Sequence, residues 1–139
     1  MMFDYTQEMR ERIDELSKES TEQAIRLRLD PTTQHNGEWD AFRHAYSSGR
    51  IVQDYLLGES VARKIGFQHE QENSRSPYWD WRETIMDLHN NEFGRDIARL
   101  NPSFTPKELA SHIYKRGIVE NGLIQNLADP RIEEYKEYY

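Results

Sequence analysis

The segment from Glu38 to Leu57 constrains the fold most strongly, because its apolar and polar residues alternate with the period of an α-helix. At about 100° per residue, the apolar side chains fall on one side and the polar ones on the other. The apolar side consists of Phe42, Ala45, Tyr46, Gly49, Val52 and Leu56. The polar side consists of Asp40, Arg43, His44, Ser47 and Asp54. We therefore predict a helix with one packed side and one reactive side, closed by Gly58.

The segments on either side of this helix show the same period. A long amphipathic pattern predicts a first helix from Asp4 to about Leu29, which Asp30-Pro31 ends because proline cannot continue the helical hydrogen bonds. Ser60 is a candidate cap for a third helix that runs towards Ser74. Within it, the spacing of apolar residues directs His69 inwards and turns Glu70 about 100° away.

Two further helices are indicated by their start signals. Asp80 and Glu83 have the spacing of a capping box, which predicts a fourth helix from Trp81 to about Leu100. Its predicted apolar side consists of Trp81, Ile85, Leu88, Phe93, Ile97 and Leu100. The stretch Thr105-Pro106-Lys107-Glu108 supplies a cap, a first-turn proline and an N3 glutamate for a fifth helix ending at Gly117. The tail from Arg131 onwards predicts one or two turns that pack Ile132 and Tyr135.

Length and pattern together define the expected fold class. The chain has 139 residues, of which 36% are hydrophobic, which is enough for one core and too little for two. No segment shows the alternating pattern of a strand. We therefore predict an all-α, compact single-domain bundle of five to six helices over residues 1–139. Its motif-bearing core spans about 36–100, and short helices follow over 105–139.

Charge and cysteine content exclude several classes of site. The net charge is -7 and the 18 basic residues are scattered, so a nucleic-acid partner is disfavoured. The chain has no cysteine, so a metal ion would be held by histidine, carboxylate or amide ligands.

The first residues lack a basic region and an apolar run, and no window approaches a membrane span. We therefore expect a soluble protein without a signal peptide or transmembrane segment.

Candidate catalytic residues begin with the polar side of the second helix. Asp40 and His44 are four residues apart and project from one helical face. They could bind a divalent ion together, or the carboxylate could orient the imidazole for proton transfer. Arg43 suits recognition of a phosphate or carboxylate, since its guanidinium matches their paired oxygens. Ser47 lies on the same stripe, but nothing around it resembles a strained nucleophile turn.

Two later stretches are candidate partners of this stripe. The adjacent His69 and Glu70 could supply a ligand and a supporting group or proton donor. Asp87 with Asn90 and Asn91 places a carboxylate beside amide groups that could hold a hard cation or an anionic substrate. We predict that these three segments face one another, with Asp40, His44, Glu70 and Asp87 as the metal ligands.

Structural roles compete with each of these assignments. Asp40 could have no role beyond a favourable interaction with the dipole at the start of its helix. The two asparagines could form hydrogen bonds to the neighbouring backbone. His89 lies on an apolar side, where a histidine is more often a hydrogen-bonded core residue. We expect His112 to pack and His35 to be a loop residue. The paired asparagines, however, are poor helix formers, which suggests that a distant segment uses them.

Three blocks of residues, in order, resemble a known family. The blocks are Asp40-Ala41-Phe42-Arg43-His44-Ala45-Tyr46, His69-Glu70, and Met86-Asp87-Leu88-His89-Asn90-Asn91 followed by Gly94-Arg95. They resemble an uncharacterised family of all-helical bacterial domains, often found at the C-terminal ends of Rhs-type and other polymorphic toxins. The resemblance implies an all-α domain, toxin-like activity, and a place in the bacterial cytoplasm or in a target cell. It also implies a cognate immunity or partner protein.

These observations lead to one hypothesis and one rival. We expect a toxin-like hydrolase, metal-assisted or acid-base, that acts on a small or lipid-linked phosphoester. Asp40, His44, His69, Glu70 and Asp87 would be catalytic. Arg43, Asn90 and Asn91 would bind the substrate. The rival is a non-enzymatic binding protein of phage or mobile-element type, in which the same polar residues form a buried structural network.

Overall fold

Six α-helices build the chain, in a computed structural model that describes residues 5–139. They are α1 (Gln7–Arg26), α2 (Glu38–Gln53), α3 (Gly58–Asn73), α4 (Trp81–Leu100), α5 (Pro106–Ile113) and α6 (Arg131–Tyr135). No strand occurs among the described residues, which confirms the predicted all-α class. The predicted first helical residue, Asp4, lies outside this range. The described helix begins at Gln7, after Thr6 caps it by accepting from the Met9 N–H.

The centre of the fold is a very close crossing of α2 and α4. A Cβ atom placed on Gly94 would lie 1.9 Å from the carbonyl oxygen of Ala45, and one on Gly49 would lie 2.8 Å from the carbonyl oxygen of Gly94. The two helices therefore touch backbone to backbone, which is possible only because these positions lack side chains. Gly49, on the predicted apolar side of α2, is thus one of the two glycines at this contact.

This contact fixes the direction of the central helices. Asn36 pairs with Glu83 just before the crossing and His44 pairs with Asn91 further along, so α2 and α4 run the same way. The third helix runs the opposite way, since a Cβ on Gly66 would meet Asn91 at 2.9 Å, whereas Glu70, four residues later, lies near Asp87, four residues earlier. The polar side of α2 is thereby covered by α3 and α4 together.

The apolar side of α2 packs into the main core. Phe42 and Tyr46 are fully buried and stacked, with ring centroids 5.7 Å apart. They lie among buried side chains from α1, α5 and the C-terminal segment, including Ala24, Leu109, Ile113 and Leu123. This side of α2 was predicted correctly from its period.

The boundary between α2 and α3 differs from the prediction. The second helix ends at Gln53, because Asp54 turns extended and its carboxylate accepts from the Leu56 N–H. Gly58 does not close α2 but begins α3, with a left-handed φ of 81°. The cap position of α3 is Leu57, and Ser60 is an exposed residue in the first turn. The predicted roles of Gly58 and Ser60 are therefore wrong.

The turn at Asp54 supplies a prediction about stability. The buried Asp54 carboxylate accepts from Arg12 Nε at 2.5 Å and ties α1 to this turn. We expect Asp54→Ala to lower the free energy of unfolding by about 3 kcal/mol, because it leaves Arg12 and the Leu56 N–H without their partner. Urea unfolding followed by circular dichroism measures this.

The matched control for that substitution is Glu15→Ala. Glu15 pairs with the same arginine at 2.8 Å, but its side chain is 63% exposed. Its loss should change the free energy of unfolding by less than about 1 kcal/mol. Equal effects of the two substitutions would show that burial of Asp54 does not matter.

The buried side of α4 differs in part from the predicted apolar side: Ile85 is buried and Phe93 and Ile97 pack against the main core, as expected. Trp81 and Leu100, placed on the predicted apolar side, are 39% and 71% exposed. The buried residues of this helix are Ile85, Met86, Asp87, Asn90, Asn91, Gly94 and Ala98. The glycine contact with α2 sets the rotation of α4, and this rotation turns the amide and carboxylate residues inward.

The helix ends of the C-terminal half were predicted in part. Thr105 and Glu108 form the expected capping box, whereas Asp80 caps α4 by accepting from the Arg82 N–H and not from that of Glu83. The fifth helix does not end at Gly117. Regular helix stops at Ile113, and π-helical turns continue over Tyr114–Val119. Ile132 and Tyr135 pack as expected. None of the described helices is long and apolar enough to span a membrane.

Candidate functional site

The site begins with the pair on the first turns of α2. His44 Nε2 lies 3.4 Å from Asp40 Oδ1, as the spacing of four residues predicts. The other oxygen of Asp40 accepts from the Asn36 N–H at 3.0 Å, which orients the carboxylate. Both side chains are 18% exposed, so a small ligand can reach them from solvent.

The fourth helix places two more groups around the same imidazole. Asp87 Oδ1 lies 3.4 Å from His44 Nε2, on the same ring nitrogen that faces Asp40. The opposite ring nitrogen, Nδ1, lies 3.2 Å from Asn91 Oδ1 and donates to it in the tautomer that leaves Nε2 unprotonated. Two carboxylates thus converge on Nε2, while an amide holds the far side of the ring. The predicted meeting of the α2 and α4 blocks is confirmed by these distances.

The third helix contributes Glu70, but in an orientation opposite to the prediction. Glu70 is 4% exposed, whereas His69 is an exposed residue on the rim. The helix is rotated because the small residues Ala62 and Gly66 face the neighbouring helices, and Glu70 continues their stripe four residues later. His69 still approaches the site, with its ring centroid 5.9 Å from that of His44.

The buried charges shift the protonation of the first pair. Burial by itself lowers the pKa of His44, but the carboxylates of Asp87 and Asp40 outweigh it and raise the pKa to about 9. Burial raises the pKa of Asp40, whereas the hydrogen bond and charge of His44 lower it, with a net result below the usual range. Without a metal ion, this pair is therefore an imidazolium beside a carboxylate at neutral pH.

The second pair of acids is electrostatically frustrated. Burial and then the charge of Asp87 raise the pKa of Glu70 to about 9, and burial likewise raises the pKa of Asp87 against the charge of His44. Both oxygens of Glu70 and Oδ1 of Asp87 are buried without a hydrogen-bond partner. Ionised carboxylates only accept hydrogen bonds. The two acids can therefore hydrogen-bond to each other only if one of them is protonated. If both are ionised, a cation must compensate their charge.

A cleft of about 260 Å³ opens onto this cluster. Its walls include Asp40, His44, His69 and Asn91, together with Arg43 and Ser47. Arg43 donates to Ser20 Oγ at 3.1 Å and to Ser17 Oγ at 3.3 Å, and no carboxylate of residues 5–139 pairs with it. It is therefore a cation held in place by neutral hydroxyls.

Asn90 does not belong to the cleft. It is fully buried, donates from Nδ2 to the Ile124 carbonyl at 2.9 Å and accepts the Ile124 N–H at 2.8 Å. Both ends of its amide are thus used to hold the C-terminal segment against α4. The predicted role of Asn90 in substrate binding is wrong, whereas the expectation that a distant segment uses this asparagine is confirmed.

Asn90 gives a second prediction about stability. Asn90→Ala should lower the free energy of unfolding by about 3 kcal/mol, because the N–H and carbonyl of Ile124 lose their partners in a buried place. Thermal unfolding by calorimetry measures the change. Asn126→Ala is the control, since Asn126 is exposed and serves only the Ala128 N–H, and it should cost less than about 1 kcal/mol. A comparable loss in both variants would show that the bonds of Asn90 do not hold the C-terminal segment against α4.

The remaining histidines have the structural roles expected of them. His89 Nε2 donates to the Gly122 carbonyl at 2.9 Å, and its ring stacks on Tyr135. His112 packs against Phe104, with ring centroids 5.2 Å apart. His35 is an exposed loop residue near Glu83.

Two residues near the site have a role that sequence reasoning does not anticipate. Glu83 accepts from Asn36 Nδ2 at 2.9 Å, so this pair joins the loop before α2 to the start of α4. The capping-box spacing from Asp80 points instead to a local role for Glu83. Glu83 precedes Asp87 by four residues, so the two side chains lie on the same face of α4. This spacing is the sequence signal for the second role of Glu83.

The electrostatics predict a pH dependence for the metal-free protein. His44 and Glu70 have ordinary values of 6.5 and 4.5, and the pKa of each rises to about 9 on folding. Between these limits the folded chain binds more protons than the unfolded chain, so the free energy of unfolding falls as the pH rises. The contribution of His44 is complete below about pH 6.5 and is lost as the pH passes 9.

Urea unfolding in a chelator at about pH 6 and pH 9 tests this dependence. We expect a loss on the order of 6 kcal/mol across that interval, with roughly 3 kcal/mol from each of the two groups. The double variant His44→Gln with Glu70→Gln should show a much flatter profile, because neither side chain titrates. Stability that is unchanged or higher at the alkaline pH in the unmodified protein would contradict the assignment.

The arrangement has the ligand types of a metal site. The ligand atoms of Asp40, His44 and Asp87 lie within 4.8 Å of one another. The carboxylate of Glu70 is not part of this three-residue group, but it lies close enough for the charge of Asp87 to raise its pKa. Three of the four predicted ligands thus converge, and the fourth lies beside Asp87.

Comparison with known proteins adds the family. A family model described as a domain of unknown function, DUF6973, matches residues 11–121. No curated protein and no solved structure matches the chain. The matched region contains most of α1, all of α2 to α5 and every residue of the cleft, and the expectation of an uncharacterised family is confirmed. Because the match covers most of its length, the chain belongs to the DUF6973 family of domains of unknown function.

Proposed function

We propose that this protein is a metal-dependent hydrolase that cleaves a phosphoester bond. The observation that carries the proposal is the convergence of Asp40 and Asp87 on one nitrogen of His44, each at 3.4 Å. Two carboxylates and an unprotonated ring nitrogen repel one another unless a cation lies between them. Either a proton or a metal ion supplies that charge.

The distances favour a metal ion. Bonds from zinc to imidazole nitrogen and carboxylate oxygen are about 2.0–2.1 Å long, so neighbouring ligands in a tetrahedral site lie about 3.3 Å apart. The two separations from His44 Nε2 match this value and are long for charge-assisted hydrogen bonds. Imidazole with carboxylates, in a chain without cysteine, suits Zn²⁺ or Mn²⁺.

The surroundings of His44 support the same conclusion. Metal-binding histidines usually donate their other ring N–H to a carbonyl or carboxylate, which fixes the tautomer. Asn91 Oδ1 occupies that position, 3.2 Å from Nδ1. The buried acceptors without partners on Asp87 and Glu70 also point to a cation, which would compensate their charge.

Arg43 points to the kind of substrate. Its guanidinium lines the cleft and is held only by the hydroxyls of Ser17 and Ser20. A phosphate group would give this arginine the paired oxygens that it lacks. The cleft volume of about 260 Å³ admits the phosphate end of a small or lipid-linked ester.

The proposed reaction is hydrolysis of the phosphoester by a water molecule. Water adds its oxygen to phosphorus and the bond from phosphorus to the alcohol oxygen breaks. One proton of the water passes to a base and one remains on the phosphate, while the alcohol receives a proton from an acid. Asp40, His44 and Asp87 would hold a divalent ion, which would supply Lewis-acid chemistry that makes water a nucleophile near neutral pH. His69, on the rim of the cleft, is placed to give the proton to the alcohol.

The toxin-like aspect of the proposal rests on the resemblance of the three motif blocks. Cleavage of a phosphoester that a cell needs would make such a domain harmful when expressed. A cognate immunity protein would then be its partner. Expression of the unmodified chain should slow bacterial growth, and expression of His44→Ala should not.

Metal content and activity together test the hydrolase. The protein purified without chelator should contain about one divalent ion per chain by mass spectrometry. It should cleave bis(p-nitrophenyl) phosphate, lose this activity in EDTA and regain it with Zn²⁺ or Mn²⁺. If it holds no ion, and His44→Ala alters only the melting temperature, the polar cluster is a structural network of a binding protein. Full activity in EDTA would instead indicate acid-base chemistry without a metal.

A further inference from the structure

A second groove, separate from the metal-binding cluster, lies between α3 and α4 and the C-terminal end. It has a volume of about 580 Å³, within the range of small-ligand sites. The side chains that define its character are Arg63 and Arg95, with Phe67, Leu88, Tyr138 and Tyr139. None of the proposed metal ligands lines it. The groove is therefore a second candidate binding site, distinct from the cleft.

The charge in this groove is opposite to that of the protein. The whole chain has 25 acidic and 18 basic residues, yet the groove is lined by Arg63, Lys64 and Arg95 against one acid, Glu92. That acid accepts a hydrogen bond from the Tyr139 hydroxyl. A concave positive site on an acidic protein is complementary to an anion.

Arg95 is the cation that most lacks a counterion. It is only partly exposed, its one hydrogen bond is a long contact of 3.5 Å to Ser48 Oγ, and no carboxylate of residues 5–139 forms a salt bridge with it. Burial and the nearby Arg63 lower its pKa, whereas the charges of Glu92, Asp96 and Glu59 oppose that shift without pairing closely with Arg95. A phosphate would give Arg95 the close oxygen partner that it lacks.

Aromatic side chains line the same groove. Phe67 is 58% exposed and Tyr138 is 79% exposed, so both rings are accessible to a ligand in the groove. Flat rings beside a guanidinium are typical of sites that stack a nucleobase and hold its phosphate. The scattered charge elsewhere and the limited volume suit a single nucleotide better than a nucleic-acid strand.

We propose that this groove binds a nucleoside phosphate, with Arg95 and Arg63 on the phosphate and with Phe67 and Tyr138 on the base. This proposal does not depend on the hydrolase. The groove is nevertheless linked to the cleft, because Gly66 lines both and Arg95 contacts Ser48, a residue of the cleft wall. A nucleotide bound here is thus placed to influence the neighbouring site.

Isothermal titration calorimetry of the full chain with AMP tests the proposal. We expect a measurable dissociation constant at or below about 1 mM. Inorganic phosphate alone and adenosine alone should each bind at least ten times more weakly, because each uses only half of the groove. A single-stranded oligonucleotide should bind no more tightly per site than AMP.

Substitutions in the groove test whether AMP binds there. Arg95→Gln and Phe67→Ala should each weaken AMP binding at least tenfold, and circular dichroism will show that they are folded. Tyr55→Ala removes an aromatic ring that is 93% exposed elsewhere and should have no effect. His44→Ala should bind AMP as the unmodified protein does, even if the hydrolase proposal fails. Absence of AMP binding at millimolar concentration, or binding that neither groove variant weakens, would overturn the proposal.

Discussion

Gly94→Ala is expected to leave the chain unfolded at 37 °C. The added Cβ would lie 1.9 Å from the Ala45 carbonyl oxygen and 2.5 Å from its carbon, which are backbone atoms at the centre of α2. The backbone fixes the position of a Cβ, so no rotamer change relieves this clash. The two central helices must therefore separate. Separation would also open the core around Phe42 and Tyr46. The cost should exceed about 5 kcal/mol, which is comparable to the whole stability of a small domain.

Gly66→Ala is the matched control for this prediction. Its Cβ would lie 2.9 Å from Asn91 Nδ2, which is the end of a side chain and can move aside. Alanine also favours helix by up to about 1 kcal/mol over glycine, so we expect a net change within about 1 kcal/mol. Circular dichroism and thermal melting of the two variants measure the difference. Similar melting temperatures for both would show that the α2–α4 contact is looser than the structure has it.

Asp87→Asn is expected to remove metal binding and hydrolysis. Its carboxylate lies 3.4 Å from His44 Nε2 and is a proposed ligand, so the affinity for Zn²⁺ should fall at least about 100-fold. Without the ion, the charge of Asp87 stabilises the imidazolium of His44, whereas burial disfavours that charge. An ion that binds only the folded chain raises its stability, so Zn²⁺ should raise the melting temperature of the unmodified protein and not that of Asp87→Asn.

The response to zinc separates a metal site from a purely structural network. If the cluster were only a structural network, Zn²⁺ would raise the melting temperature of neither protein, and Asp87→Asn would act only through the loss of a carboxylate beside the imidazolium of His44. Zinc titration and melting with and without EDTA give both quantities. Ser47→Ala serves as the control, since Ser47 lines the cleft without contacting the proposed ion, and it should change zinc affinity less than about threefold.

Asn91→Ala extends the same test to a positioning residue. Its Oδ1 orients the ring of His44 from the far side and does not belong to the group of proposed ligands. Loss of such a partner typically weakens metal binding about 10–100-fold. Asn91→Asp, which keeps an acceptor oxygen near Nδ1, should restore most of the affinity. A merely structural asparagine would not show this recovery.

Local signals in the sequence predicted much of the fold. The bounds of α4, the capping box at Thr105 and the packed side of α2 follow from capping chemistry and helical period, which depend on residues close in sequence. The convergence of Asp40, His44 and Asp87 was also predicted, although the sequence contains no measure of distance between helices.

The two errors about helix rotation share one cause. His69 was predicted to point inward and is exposed, whereas Glu70 was predicted to turn away and is buried. The polar half of α4 is also buried. Both predictions assumed that the most apolar stripe of a helix faces the core. In this bundle the small residues Gly66 and Gly94 set the rotation instead, because the closest backbone contacts lie there. Sequence shows that a glycine is present but not which helix will press against it.

The sequence by itself therefore determined the helices, their approximate ends, and the stripe that carries Asp40, Arg43 and His44. Only the tertiary structure decided that Glu70 and not His69 is buried, that Asn90 holds the C-terminal segment, and that Asn91 holds His44. The reason is physical. Helical period and capping act within a few residues, whereas helix rotation and the pairing of buried polar groups depend on close contacts between segments far apart in the chain.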